Sequence, residues 1–472
     1  MDSADNYAIL RFMKTQTPFR PYNFDQLLLL PPDMTHWLPQ DHLVYFIRDV
    51  VGQMNLSAVY ASYDGSQGGY PAYHPEMMVA LLIYAYCVGV ASSRKIEKAT
   101  YELIPFRVLT ADQHPDHDTI AEFRRRHLEA LAALFVQVLR LCQKAGLVKL
   151  GHVSLDGTKV RANASKHKAM SYARMEKSVV ELEAEVKRLI AEAEATDEVE
   201  DGQYGKGRRG DELPEELRFK QGRLSRIKEA KEVLEREARE QAQRERLDQE
   251  KKRQDREVSG DRRGRPPKVP SEKPDGRAQY NFTDPESRIM KDGATKSFEQ
   301  SYNCQAAVDA HCQVIVATRV SQEANDKGEL KPVVERLKTN LEGTKPGRMT
   351  TDSGYFSEEN VTYLAQEQID GYVATGRIKH GDKPLRAPRG RIPKDASLKE
   401  CMGRKLRTIR GRAIYAKRKE ISEPVFGQIK QVRGFRQFLL RGLSKVSAEW
   451  DLICLGHNLL KLFRSTLRPA TA

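Results

Sequence analysis

The sequence predicts a mixed α/β protein: a helical front, a sheet behind it, and a long helical excursion that interrupts the sheet. Three observations carry this. Apolar residues recur at helical spacing as far as Gly146. From His152 the period becomes that of strands. Between about 165 and 295 a 3–4 spacing returns, at Val179, Leu182, Val186 and Leu189 and again at Leu224, Ile227, Leu234 and Ala238. At ~100–200 residues per domain, 472 residues allow several domains and a sizeable core.

Composition narrows the class. Lys and Arg number 79 against 65 Asp and Glu, a net charge of +14 with a pI near 9.3. Such an excess points to a polyanionic partner, nucleic acid first. It is concentrated: from Cys401 to Arg441 there are 12 Lys or Arg against Glu420 and Glu423. The six cysteines contain no C-x-x-C pair, which argues against a disulfide framework or zinc site and reads as reduced thiols. The start, M-D-S-A-D-N-Y, has no signal-peptide core, and the most apolar run, Met77 to Ala91, is too short and punctuated to span a bilayer. A soluble cytoplasmic protein without a membrane partner is expected.

In chain order, residues 1–64 read as an N-terminal extension with short apolar clusters and an amphipathic segment from Asp41 to Val51. Residues 65–150 read as a small helical domain that opens on a Gly/Ser/Pro loop. Its helices run from Pro75 to Val90, from Ser92 to Leu103, and from Asp118-Thr119 to Leu141, the last opened by a Thr119/Glu122 capping box. Arg124 and Arg125, with Arg126, lie in the first turns of that third helix and make it a candidate to face DNA. H-V-S-L-D-G, from His152, reads as a strand ending at Asp156-Gly157, where a carboxylate points into the cleft above a sheet. A plain turn aspartate is the competing reading.

Residues 165–295 are expected to be a helical, partly disordered insertion. Two antiparallel helices are broken at Asp201 to Asp211, the apolar seam fades after Arg239, and Gly260 to Arg277 is disordered. The sheet resumes with Tyr302 to Asp309 and Gln313 to Val320, turning at His311. A helix Glu329 to Leu341, a strand from Met349 breaking at Gly354, a helix Glu358 to Gln368 and a strand Gly371 to Thr375 follow. Arg377 to Arg391 is a basic loop suited to a phosphate backbone, and a last apolar helix spans Ala448 to Phe463.

Tyr415 to Lys430 reads Y-A-K-R-K-E-I-S-E-P-V-F-G-Q-I-K. A helix is expected from near Ser422, with Pro424 in its first turn and Glu423 at or just before it; a longer helix kinked at Pro424 is the alternative. Glu423 and Lys430, seven apart, share a helix face. A carboxylate among Tyr415, Arg418 and Lys430 can hold a metal while its neighbours hold phosphates; a solvated basic helix with one ion-paired Glu is the plainer reading. Asp156 and Asp352 each end a strand and are followed within two residues by glycine. Carboxylates on the first strand, the fourth strand and a late helix match a ribonuclease-H-like sheet, in which those two strands are neighbours. Asp284 and Asp309 read as turn or cap residues.

S-L-D-G-T-K-V-R-A-N-A-S, D-P-E-S-R-I-M-K, Y-N-C-Q-A-A-V-D, T-D-S-G-Y and Y-x-x-R-x-x-x-x-E-x-x-x-x-x-x-K, in this order, resemble bacterial insertion-sequence transposases of the DDE class. H-P-E-M-M and H-D-T-I-A-E-F-R-R-R-H resemble the helical domain that precedes the catalytic domain in that family. The resemblance covers about residues 20–465. It implies a ribonuclease-H-like catalytic domain at 151–164 and 296–465, and Asp156, Asp352 and Glu423 as the catalytic, metal-holding triad. Tyr415, Arg418, Glu423 and Lys430 correspond to the Tyr-Arg-Glu-Lys signature, with Arg418 five positions before the Glu where related groups have four.

Phosphodiester chemistry of this kind uses two Mg²⁺ ions ~3.5–4 Å apart, or Mn²⁺ in their place, held by oxygen ligands. Tyr415, Arg418, Lys430, Arg433 and Arg436, with Arg124 and Arg125 in front, are the expected phosphate contacts. The implied partner is double-stranded DNA, both element ends and target. A homodimer or higher assembly on DNA is expected because a synapse needs two ends, and the implied location is the bacterial cytoplasm at the nucleoid. The implied reaction nicks an element end and transfers its 3′-hydroxyl to target DNA. A nuclease of the same fold without strand transfer, and a DNA-binding protein with a decayed catalytic domain, are the alternatives.

Overall fold

The computed structural model describes residues 33–63, 72–204, 215–259, 268–293, 296–376, 390–393 and 395–467. The front is helical: α1 Leu43–Gly52, α2 Ser57–Tyr60, α3 Pro75–Val88, α4 Ser93–Glu102, α5 Ile104–Leu109, α6 His117–Arg126 and α7 Leu128–Lys144. α3 starts on Pro75, whose missing N–H costs nothing in a first turn. Every residue from Met78 to Cys87 is buried, so α3 is a core helix and not an amphipathic one. It ends at Gly89, where φ is +82° and an added Cβ would lie 2.5 Å from the Arg433 carbonyl oxygen. Only glycine satisfies both conditions.

Two boundaries differ from the sequence expectation. α6 is capped by Asp116, whose carboxylate accepts from Thr119 N at 2.8 Å. Thr119 is therefore not the cap; its hydroxyl donates to Asp116 at 2.7 Å, and Glu122 pairs with Arg125. The expected single helix to Leu141 is two, because His127 leaves helical geometry (φ −105°, ψ 16°) and is buried against Phe123 and Tyr63. The front also begins earlier than residue 65: Val44, Ile47 and Val51 of α1 belong to the core.

The sheet contains β1 Val153–Arg161, and its chain leaves through β2 Ala169–Ser171 into α8 Tyr172–Tyr204 and α9 Glu215–Ser259, returning by β3 Gln279–Asn281. β2 and β3 pair with each other, outside the main sheet. The hairpin has its own small core of Tyr172, Met175, Leu182, Ile227, Ala230 and Leu234. α9 stays helical well beyond Arg239, where pairs such as Glu240–Arg244 support a polar helix. Part of the expected disordered segment, 260–267, lies outside the described residues.

The excursion ends sooner than expected. β4 Arg288–Lys291 belongs to the main sheet, paired with the start of β5 Phe298–Asp309. A four-residue strand whose partner lies across a turn leaves no periodic signal of its own. β6 Ile315–Ser321, α10 Leu330–Asn340, β7 Arg348–Thr351, α11 Glu358–Gln366 and β8 Asp370–Val373 complete the layer. β5 runs antiparallel to β1 along the whole of β1 and antiparallel to β6; β1–β7 and β7–β8 are parallel. The order across the sheet is β6-β5-β1-β7-β8, with β4 beside β6 on the same edge of β5.

Among the described residues three α-helices follow: α12 Leu398–Arg407, α13 Ile409–Gly427 and α14 Leu443–Thr466. α14 is the strut shared by front and sheet. Its Asn458 accepts from Ile315 N and donates to Ile315 O, both at 2.8 Å, and Trp450 donates to Gln305 O at 3.1 Å. Fully burying residues such as Ile453, Leu455 and Leu459 is worth about 1.5–3 kcal/mol each. One continuous core therefore joins the front helices to the sheet. Among the described residues no single helix is long and apolar enough to cross a membrane.

Candidate active site

The parallel ladder of β1 and β7 ends at the pair Leu155 and Thr351. The next residue on each strand is an aspartate, so Asp156 and Asp352 face one cleft. β1 does not stop at Asp156 as expected; β5 pairs with it as far as Arg161, and only the parallel partner ends there. Asp352 caps a short helical turn, accepting from Gly354 N at 2.8 Å. Asp156 accepts from Gly157 N at 3.0 Å on one oxygen; on the other it accepts from Arg418 Nη1 at 2.9 Å and Ser422 Oγ at 3.2 Å. Burial pushes the Asp156 carboxyl up to about 6, against the pull of Arg418, and the charge of Asp352 adds to the rise.

Arg418 and Ser422 come from α13. This helix corrects the expected start near Ser422: it begins at Ile409, and Pro424 lies inside it, as in the longer-helix alternative. A proline there removes the donor for the Glu420 carbonyl. The structure supplies another, Gln313 Nε2 at 2.8 Å. Arg418 and Ser422, one turn apart, lie over Asp156, and the Arg418 guanidinium sits 5.9 Å from the half-buried Tyr415 ring. Glu423, one residue on, is exposed. Among the described residues no three His, Cys, Asp or Glu side chains stand close enough together to hold a metal ion.

The family model described as a transposase domain (DUF772) matches residues 32–126, and the one described as a transposase DDE domain matches residues 390–463. These two matches support an insertion-sequence DDE transposase. No curated protein and no solved structure matches it. The second match contains Tyr415, Arg418, Glu423 and Lys430; Asp156 and Asp352 lie outside both.

Several residues expected to touch DNA are occupied inside this transposase. Arg433 is 5 % exposed, and its Nη1 donates to Ile453 O at 2.9 Å and Tyr86 O at 3.4 Å. It joins α3 to α14 and cannot reach a phosphate. Arg124 is likewise buried, donating to Ala91 O at 2.7 Å, because its side of α6 faces the core. Lys430 Nζ donates to Lys159 O at 2.6 Å, reached through a wide π turn, Gln428–Val432. Arg125 is exposed but paired with Glu122; Arg436 is exposed, with Nε on Lys430 O. Most of the basic loop, 377–389, lies outside the described residues. Asp284 and Asp309 are structural: Asp284 accepts from Tyr302 and Gly442 N, Asp309 from Leu150 N and His311 N.

The sequence reading missed Ser422, Lys159 and Asp326. Asp326 Oδ1 accepts from Asn303 Nδ2 at 2.7 Å and Gln305 Nε2 at 2.8 Å, and Lys159 Nζ lies 3.8 Å away. A Cβ on Gly157 would come within 3.0 Å of one Asp326 oxygen, and a Cβ on Gly354 within 3.1 Å of the other. The glycines after Asp156 and Asp352 therefore leave space that Gln305, the Asp352 carboxylate and Asp326 share. That pattern was the available signal; Asp326 itself reads as an ordinary turn residue.

Proposed function

We propose that this transposase cleaves phosphodiester bonds at the ends of its element and joins the freed 3′-hydroxyl to target DNA, at a centre formed by Asp156, Asp352 and Glu423. The observation that carries this is the placement of Asp156 and Asp352 one residue past the β1–β7 ladder, with α13 laid over Asp156 through Arg418 and Ser422. The strand order β6-β5-β1-β7-β8, antiparallel at its first two contacts and parallel at the last two, supports a ribonuclease-H-like reading of the sheet.

The residues fit a hard divalent cation such as Mg²⁺. Their donors are carboxylate oxygens, and two neighbouring carboxylates repel each other, which a cation would relieve. Asp156 and Asp352 would hold it; Glu423 of α13, exposed and not grouped with them in this structure, would have to move in to join them. Bound there, it would activate the attacking water or hydroxyl and offset charge on the leaving oxygen. Arg418 and Ser422 fix the orientation of Asp156, and Tyr415 backs the guanidinium. The exposed Lys417, Lys419 and Arg436 draw the DNA backbone towards the cleft.

The test uses a duplex carrying the inverted repeats that flank the reading frame, with Mg²⁺. Asp156→Asn, Asp352→Asn and Glu423→Gln should each slow cleavage on the order of 10³-fold while end binding is retained. A wild-type rate in Glu423→Gln would remove Glu423 from the centre and make Asp326 the next carboxylate to test. Joining of pre-nicked ends that carry a free 3′-hydroxyl separates transposition from simple nuclease action.

A further inference from the structure

At the root of the helical hairpin lies a cavity of about 660 Å³. It is lined by His167, Lys168, Arg174, Arg218, Arg223 and Arg226, and among the described residues by no carboxylate. Phe219, 70 % exposed, and Phe282, 37 % exposed, stand at the same place.

The charges here are used differently from those on the rest of the hairpin. Elsewhere on it Lys228 pairs with Glu183, Arg239 with Glu235 and Arg244 with Glu240, and even Lys220, beside the cavity, pairs with Glu185. Among the described residues none of the four cavity arginines has an ion pair or a side-chain hydrogen bond. Arg218 and Arg226 sit two turns apart on one face of α9, ~12 Å along its axis. Between them is Gly222, where an added Cβ would meet nothing within 4 Å. Protein packing does not demand that glycine; its effect is to leave the cavity floor open. Like charges gathered on one face repel, and among the described residues no carboxylate compensates them. The complement is a polyanion with flat apolar faces beside its phosphates.

We propose that this cavity is a second DNA-contacting surface, taking the phosphate backbone of duplex DNA on Arg174, Arg218, Arg223 and Arg226, with Phe219 against its sugars and bases. The proposal rests on DNA being the substrate of the Asp156 centre. His167 is eleven residues beyond Asp156, so the chain places the cavity at most ~40 Å from that centre. That is about one turn of duplex, ~34–36 Å, and one DNA molecule can reach both.

The experiment measures binding of the full-length protein to a fluorescein-labelled 30-base-pair duplex of arbitrary sequence across a salt series. The variant Arg218→Ala/Arg223→Ala/Arg226→Ala should bind roughly tenfold more weakly, with a log K against log salt slope shallower by up to ~2.7, three phosphate contacts at ~0.9 each. The matched variant Lys228→Ala/Arg239→Ala/Arg244→Ala removes the same charge from paired positions and should keep the wild-type slope. Phe219→Ala should weaken binding at an unchanged slope. Equal affinity and slope in wild type and cavity variant would overturn the proposal while leaving the reading of the Asp156 centre intact. A wild-type chain that binds no duplex would overturn both. Loss of self-association with DNA affinity intact would assign the surface to protein contact and likewise overturn it.

Discussion

The run from Cys401 to Arg441 and the stretch from Arg218 to Arg226 look alike as charge and differ in how that charge is used. In the first, Arg418 serves Asp156, Lys405 serves Asp370, Lys430 a carbonyl of β1 and Arg433 two helix carbonyls. In the second, the guanidinium groups stand in solvent around a cavity where, among the described residues, they have no acceptor. Density of Lys and Arg therefore measures neither exposure nor contact with a phosphate. What decides is whether a carboxylate or an unpaired carbonyl lies within reach inside the fold.

Arg433 gives the sharpest way to break that contrast. Arg433→Ala leaves a void and removes the donor from Ile453 O and Tyr86 O, so stability should fall by about 3 kcal/mol by denaturant titration. The salt slope for DNA should not move. Nε and Nη2 of Arg433 are buried without a partner, a desolvation cost that offsets part of its worth. Arg433→Met, which refills the space without the charge, should therefore recover most of the loss. A shallower salt slope in either variant would return Arg433 to the DNA surface.

The next effect is on acid stability. His457 of α14 is buried against Gln428 and the Gln313 carbonyl, and burial holds its pKa down, from 6.5 to about 3. The unfolded chain takes up this proton as pH falls below 6.5 and the folded chain does not until about 3, so its contribution to stability is full above 6.5 and declines between those values. His152, held down to about 4 by burial, adds to the same slope. Unfolding midpoints should fall from pH 6.5 to 4, less steeply in His457→Gln. An identical pH profile in that variant would show that His457 is not the group responsible.

Arg436 should give the smallest change. Its exposed guanidinium can meet one phosphate, so Arg436→Ala should flatten the salt slope by at most ~0.9 with stability unchanged. Destabilisation without a slope change would place Arg436 with the buried arginines.

How far the site could be read in advance differs residue by residue. Asp156 and Asp352 stood out because strand periodicity and a following glycine are local, and the structure sets the two side by side. The start of α13 was misplaced because proline reads as a helix opener; Gln313, more than a hundred residues away, supplies the donor that lets Pro424 lie inside. Arg124 and Arg433 were misjudged for the same reason. Their acceptors are main-chain carbonyls of Ala91, Tyr86 and Ile453, and a backbone carbonyl has no signature in sequence.

By itself the sequence determined the helical front, the return of strands after His152, the excursion between them, the basic balance and the family to which these belong. Those depend on periodicity, composition and motif order, which are properties of neighbouring residues. The tertiary structure alone decided which charges are internal, that β4 adds to the sheet, that Asp326 lies near the glycines after Asp156 and Asp352, and that Arg174, Arg218, Arg223 and Arg226 meet at one cavity. Burial and pairing are set by groups brought together from distant parts of the chain, and the cost of burying an unpaired charge, not its presence in the sequence, selects where each can go.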